Sequence, residues 1–321
     1  MKFPRALAAC IVAGLSLFHG IAAQAAWPGE HPLTLVVPFP PGGTTDMVGR
    51  LLASTLGKQL NQTVIVDNRG GAGGTLGAAY AARAKPDGYT LFLATTAHTI
   101  APSIYDTLPY DFSKDFVPIT TVASLPHVLI VNAKLPVDSV ADLIKYAKAH
   151  PGQINFGSAG IGSTDHLSVE LFSRSAGIKL EHVPYKGDDP MMTDLMGGQI
   201  QLAMPPSGVV VGPVHAHSVK ALAVSSAKPS VYFPGIPAID ETAGLSGYTF
   251  KTWYALMVQA GTPPDVQARL YQAVVAALKS PDMQKAVQTI NGDPGGEPSK
   301  ELARLIAEQT QEWHNILKPE K

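Results

Sequence analysis

The sequence predicts an α/β protein of two lobes with a ligand cleft between them. Three observations carry this. Apolar strand-like runs alternate with helical patterns through residues 33–96, the alternation begins afresh after Pro126, and a strand-like run at 248–260 is followed by three amphipathic helices. In order, "LTLVVPF" is a strand, "TTDMVGRLLASTLGKQL" a helix with Thr or Asp at its start, "TVIVDN" a strand, "TLGAAYAARA" a helix and "YTLFLATT" a strand. The second block reads "HVLIVN", helix "SVADLIKYAKAH", "INFGSA", helix "DHLSVELFSRSAG", "LEHVPY", helix "PMMTDLMGG", "IQLAMP", a helix near 207–217, and "KALAVSS". The closing helices have little sheet of their own and are expected to return to the first block. Lobe I then comprises 26–125 and 249–321, and lobe II 126–248. Strands crossing between the lobes leave a cleft that glycine-rich loops of both face.

Residues 1–25 read as a secretory signal. Lys2 and Arg5 precede the apolar run "ALAACIVAGLSLF", too short to span a bilayer, and Ala23 and Ala25 offer small residues for cleavage. "LAAC" resembles a lipoprotein box, but it stands too close to Arg5 to leave an export segment, so cleavage near Ala25 is the expectation. Cleavage removes Cys10, the chain's single cysteine, and with it any disulfide or thiolate metal site. It also leaves 22 basic against 25 acidic residues, a formal charge of −3. No basic stripe with interleaved aromatics points to nucleic acid, and no later run is long enough for a membrane span. A soluble exported monomer is expected.

Enzyme and cofactor signatures are missing. The P-loop lysine is absent from both "PPGGTTD" and "GGAGGTLG", Leu76 stands where a dinucleotide fingerprint has its third glycine, and neither G-x-S-x-G nor H-E-x-x-H occurs. His215 and His217 are spaced so that on a helix they diverge, which disfavours a metal. No cofactor and no metal are expected.

What remains is a pair of strand-to-helix loops. "PPGGTTD" offers the amides of Gly42, Gly43, Thr44 and Thr45 at a helix start, with Asp46 either a cap or a wall of the cleft. "FGSAGIGSTDHL" repeats the arrangement, with Gly160, Gly162, Ser163 and Thr164 supplying N–H and O–H donors ahead of Asp165. His98, placed in a loop after the third strand, either touches a ligand or orders its own loop.

These stretches, with "DNRGGAGG", "KPDGYTL", "VNAKLP", "HVPYKG" and "PGIPAIDETAGLSGY", resemble the tripartite tricarboxylate transporter receptors, or Bug family, in order and over essentially the whole chain after the signal. The resemblance implies a type II periplasmic binding fold, no catalysis, and a small organic anion passed to the permease subunits of a tripartite transporter. It also implies a ligand loop from Pro40 through Pro41 to Asp46 with Phe39 at its start, a second contact at Ala97 and His98, and an opposing loop from Ser158 and Ala159 to Asp165. Two departures stand out: Asp188 and Asp189 follow "YKG" where relatives have small residues, and Pro205 and Pro206 stand where many have a polar residue. Asp189 reads as the N-cap of a helix begun by Pro190, which leaves Asp188 either solvated beside Lys186 or facing the ligand. Trp253 is either a stacking surface for an aromatic ligand or core. Two other functions remain open: a sensor subunit that signals instead of transporting, and an enzyme built on His98 and Asp165.

Overall fold

The computed structural model describes residues 27–242 and 244–317, so the expected signal and Cys10 lie outside the described part. The first half-lobe runs β1 (Leu33–Val37), α1 (Thr44–Leu60), β2 (Val64–Asn68), α2 (Thr75–Ala82), β3 (Thr90–Thr95), α3 (Ala97–Ile104), α4 (Phe112–Asp115) and β4 (Phe116–Pro126). There follow β5 (Val128–Asn132), α5 (Val140–Ala149), β6 (Asn155–Ser158), α6 (Thr164–Ala176), β7 (Glu181–Pro184), α7 (Asp188–Gly197), β8 (Leu202–Ala203), α8 (Val211–His215) and β9 (Val219–Val224). The chain closes with β10 (Lys251–Gln259), α9 (Pro264–Leu278), α10 (Pro281–Thr289), β11 (Asp293–Pro294) and α11 (Ser299–Leu317).

Two sheets result. The first has the order β11-β4-β10-β3-β1-β2 and the second β7-β6-β8-β5-β9. In the first, β1 pairs in parallel with β2 and β3, whereas β10 returns antiparallel between β3 and β4. β10 is the chain coming back from the second sheet, and inserting it centrally is what ties both ends of the molecule to one sheet.

Strand alternation separates two cores in the first sheet. Tyr254, Leu256 and Val258 join Val48, Leu52 and Leu56 of α1, while Trp253, Ala255 and Met257 join Leu302 and Ile306 of α11. The α1 stripe recurs every four residues, as a helix half-covered by sheet requires, and each fully buried Leu in it contributes about 2 kcal/mol. In the second sheet Leu129 and Val131 face α5 and α6, and Val128 and Ile130 face α7. α9 packs on α1 and α11 packs along β4 and α3. Trp313 of α11 reaches Phe250 beside the second sheet, with ring centroids 5.7 Å apart.

Three elements differ from expectation. His98 lies in the first turn of α3 instead of a loop, because "AHTIAPSI" continues as helix past Pro102. The helix expected near 207–217 is a 3₁₀ turn at Ser207–Val209 followed by the short α8. α7 starts at Asp188, with Gly187 as its N-cap and no side-chain cap bond, so Asp189 is not the cap. Proline is accepted within the first helical turn, where its missing N–H costs nothing, and this lets the helix begin two residues before Pro190.

Candidate functional site

The first-lobe loop connects β1 to α1. Pro40 and Pro41 carry no N–H, and Gly42 takes φ +96°, so the loop turns sharply into a helix whose N-cap, Gly43, has no side chain to cover the first amides. Asp46 braces the turn: its Oδ2 accepts from the Gly42 amide at 3.1 Å and from Arg50 Nε at 2.8 Å, and its Oδ1 accepts from Asn68 Nδ2 at 2.9 Å. Burial alone would raise its pKa, but the bonds from Arg50, Gly42 and Asn68 outweigh burial and hold it below the ordinary value. Asp46 is therefore an ionised, charge-matched strut.

The second-lobe loop connects β6 to α6. Asp165 Oδ2 accepts from the Ala159 amide at 2.6 Å, and Ser163 Oγ caps the helix by accepting from His166 N at 3.4 Å. Gly160 takes φ +124°, and its amide donates to Ser158 Oγ at 3.2 Å. Ser158 Oγ in turn lies 2.7 Å from His182 Nε2, and His182 stacks on His166 with centroids 4.1 Å apart. Burial lowers both imidazoles to about 4, so this stack under the loop is neutral at pH 7.

The loops meet. A Cβ on Gly73 would lie 2.6 Å from the Ile161 carbonyl oxygen, and Tyr105 Oη donates to that same carbonyl at 2.9 Å. The glycines of "GGAGG" thus allow one backbone to touch the other across the cleft. From α7, Asp188 crosses the gap, and the Thr44 amide donates to its Oδ2 at 3.1 Å. A Cβ on Gly43 would come within 2.7 Å of that oxygen, so the glycine is what lets the carboxylate reach the helix end. Between the lobes lies an enclosed cavity of about 10 Å³, room for a single water at most, lined among others by Thr45, Thr164, Asp165, Asp188, Thr252 and Tyr254. Phe39 and Ala159 connect it to an outer cavity of about 730 Å³ walled by Gly71, Tyr105, Gly160, Tyr185 and Lys186.

Among the described residues no Lys, Arg or His side chain lines the inner cavity. Asp165 is raised above the ordinary carboxylate value by burial and then by the charge of Asp188. Asp188 is raised by burial, partly offset by the Thr44 amide, with the charge of Asp189 adding to the rise. Two buried carboxyl groups from facing elements thus disfavour each other's ionisation, and both hold their protons above the ordinary carboxylate range. Burial, with the nearby charges of Asp188 and Asp165 adding to it, raises the Tyr254 phenol well above its usual value.

Of the residues expected at the site, Thr45, Thr164, Asp165 and Asp188 wall the inner cavity, Phe39 and Ala159 join the two cavities, and Pro41 and Gly160 wall the outer one. Gly42, Gly43 and Thr44 face Asp189 and Asp188. Asp46, Ser158 and Ser163 brace loops. Ala97 and His98 are buried behind the cleft: the Thr95 amide donates to His98 Nδ1 at 3.0 Å, and the ring stacks on Phe112 at 5.5 Å. Trp253 faces α11, where its Nε1 donates to Gln309 Oε1 at 2.7 Å. Its neighbour Tyr254 points the other way, into the cavity. Strand alternation made one of the two a cleft residue, but the sequence did not say which face of β10 the second lobe would approach. Thr252, Tyr105 and the His166–His182 stack carried no motif signal at all.

The model of the family described as "Tripartite tricarboxylate transporter family receptor" matches residues 48–321. A Rhodopseudomonas palustris protein solved with adipate is 36% identical, with TM-score 0.87 over 91% of this chain and 97% of that one. The periplasmic binding protein BugD is 32% identical, with TM-score 0.86 over 90% and 97%. MatC from the same R. palustris, solved with bound malate, is 29% identical, with TM-score 0.85 over 90% and 100%.

Proposed function

The chain belongs to the tripartite tricarboxylate transporter receptor family, and on that premise we propose that it captures a small organic acid between its two lobes in the periplasm and hands it to the permease subunits of a tripartite transporter. The observation that carries this reading is the convergence of the first turns of α1 and α6 on one cavity. The Thr45 and Thr164 amides there have no carbonyl to bond within their own helices, and they stand on opposite lobes. A carboxylate held by both would bridge the lobes, and its preference for the closed over the open arrangement would set how far it shifts that equilibrium. Adipate in one relative and malate in another support the acid class. Residues 1–25 would direct export and be removed, leaving a monomer.

Binding without turnover distinguishes a receptor from an enzyme. Titration calorimetry of the chain from residue 26 against mono-, di- and tricarboxylates is expected to find an acid bound with Kd on the order of 1 μM or tighter, recovered unchanged by mass spectrometry. Conversion of the acid, or no acid bound, would contradict the reading. Deletion of the gene is expected to abolish uptake of that acid; intact uptake with a lost transcriptional response would make it a sensor.

A further inference from the structure

We propose that the ligand of this cleft carries a protonated nitrogen beside Asp165 and Asp188 as well as a carboxylate, so that the receptor takes a zwitterionic acid in preference to a dicarboxylate. This deepens the acid-receptor reading and rests on it. A helix N-terminus favours one negative charge, and here the chain supplies its own. The Thr44 amide is engaged by Asp188, the Ala159 amide by Asp165 and the Gly42 amide by Asp46. Arg50, one turn along α1 from the first loop, is paired with Asp46, and Lys186 stands exposed at the outer cavity. Inside, two buried carboxyl groups face each other with no basic side chain among the lining residues.

A second ligand carboxylate placed there would be a third anionic group in an enclosed space that offers only hydroxyls and two remaining first-turn amides. One carboxylate can use those amides. An ammonium, with three N–H donors and no acceptor, matches the carboxyl oxygens of Asp165 and Asp188 that the Ala159 and Thr44 amides do not engage. As the inner cavity stands it has room for one water at most, so Thr45, Thr164 and the two aspartates must draw apart to admit these groups, and the rest of the ligand extends past Phe39 and Ala159 into the outer cavity. Asp188 is the specificity-determining residue, because of the two carboxylates that α7 brings to the α1 loop it is the buried one that takes the Thr44 amide and lines the inner cavity, whereas Asp189 is exposed and stands against Gly42.

Matched acids test this by calorimetry: malate against aspartate, adipate against 6-aminohexanoate, and terephthalate against 4-(aminomethyl)benzoate. The wild-type protein is expected to bind the nitrogen-bearing member of at least one pair 10-fold or more tighter than its partner, and Asp188→Asn or Asp188→Ser to lose or reverse that preference. The wild-type comparison stands even if a variant does not fold. Dicarboxylates bound as well as or better than their partners in every pair would overturn the proposal while leaving an acid receptor. An unchanged preference in folded Asp188 variants would overturn the role of Asp188. Failure to bind any of the six would overturn both the proposal and the acid-receptor reading beneath it.

Discussion

The loops "GGTTD" and "GIGSTD" do the same thing in the two lobes and leave their aspartates in opposite states. Asp46 and Asp165 each sit in the first turn of a helix and each turn back to accept an amide of their own loop, from Gly42 and from Ala159. Four residues after Asp46 comes Arg50, and the pair is matched; four after Asp165 comes Val169, buried in the core. Across the gap Asp165 meets Asp188 instead of a cation. One carboxyl group is lowered and the other raised, although the local backbone task is shared. A motif therefore specifies the turn, while the charge state comes from what the rest of the fold brings alongside it.

The largest expected effect separates the two aspartates by stability. Asp46→Ala strips the acceptor from Gly42 N and Asn68 Nδ2 and should cost about 3 kcal/mol. Asp165→Asn should cost less than about 1 kcal/mol at pH 7, since an amide resembles the protonated acid and can still accept from Ala159. Urea unfolding of the two variants checks this, and equal costs would erase the contrast.

The meeting of the loops is tested next. Gly73→Ala places a Cβ against the Ile161 carbonyl at φ +61° and should weaken ligand binding by about 10- to 100-fold, about 1.4 to 2.7 kcal/mol. Gly177→Ala, at φ +60° with open space around it, should cost about 1 kcal/mol of stability and leave affinity unchanged. Equal affinities in the two variants would mean that closure does not need the Gly73 contact.

The two aspartates should also give pH slopes of opposite sign. A raised folded-state pKa stabilises fully below the unfolded value of 3.8 and loses that contribution as pH climbs through about 8. Wild type should therefore lose stability relative to Asp165→Asn as pH rises across that window. Asp46, with its pKa lowered, contributes above 3.8 and loses the contribution as pH falls through its folded value, so wild type should gain relative to Asp46→Asn with rising pH. Melting curves in paired buffers give both slopes, and slopes of one sign would refute the assignment of charge states. The smallest effect is Arg50→Ala: more than half of that side chain is exposed, so the change should cost less than about 1 kcal/mol and shrink further in high salt.

The sequence made the strand–loop–helix units legible because their patterns are local. Apolar runs, glycines and first-turn acids marked β1–α1 and β6–α6 within a residue or two. β4 was not legible: "FVPITTVASLP" contains two prolines and few strong apolar alternations, and it is a strand because β10 pairs along it. Likewise the position of His98 left open whether it touched a ligand or ordered its own segment, and its partner Phe112 is supplied by α4, which no pattern announced. Asp188 was conspicuous in the sequence, but its burial depends on α1 lying opposite α7 across the cleft.

The claim at the centre is that one carboxylate of the ligand bridges the first turns of α1 and α6. A crystal structure with the tightest acid of the six tests it most directly. The predicted result places a carboxylate oxygen about 3 Å from the Thr45 amide and another about 3 Å from the Thr164 amide, with both lobes in contact. An acid found instead in the cavity of about 980 Å³ between Tyr110, Phe112 and Ile306, with the Thr45 and Thr164 amides untouched, would contradict it.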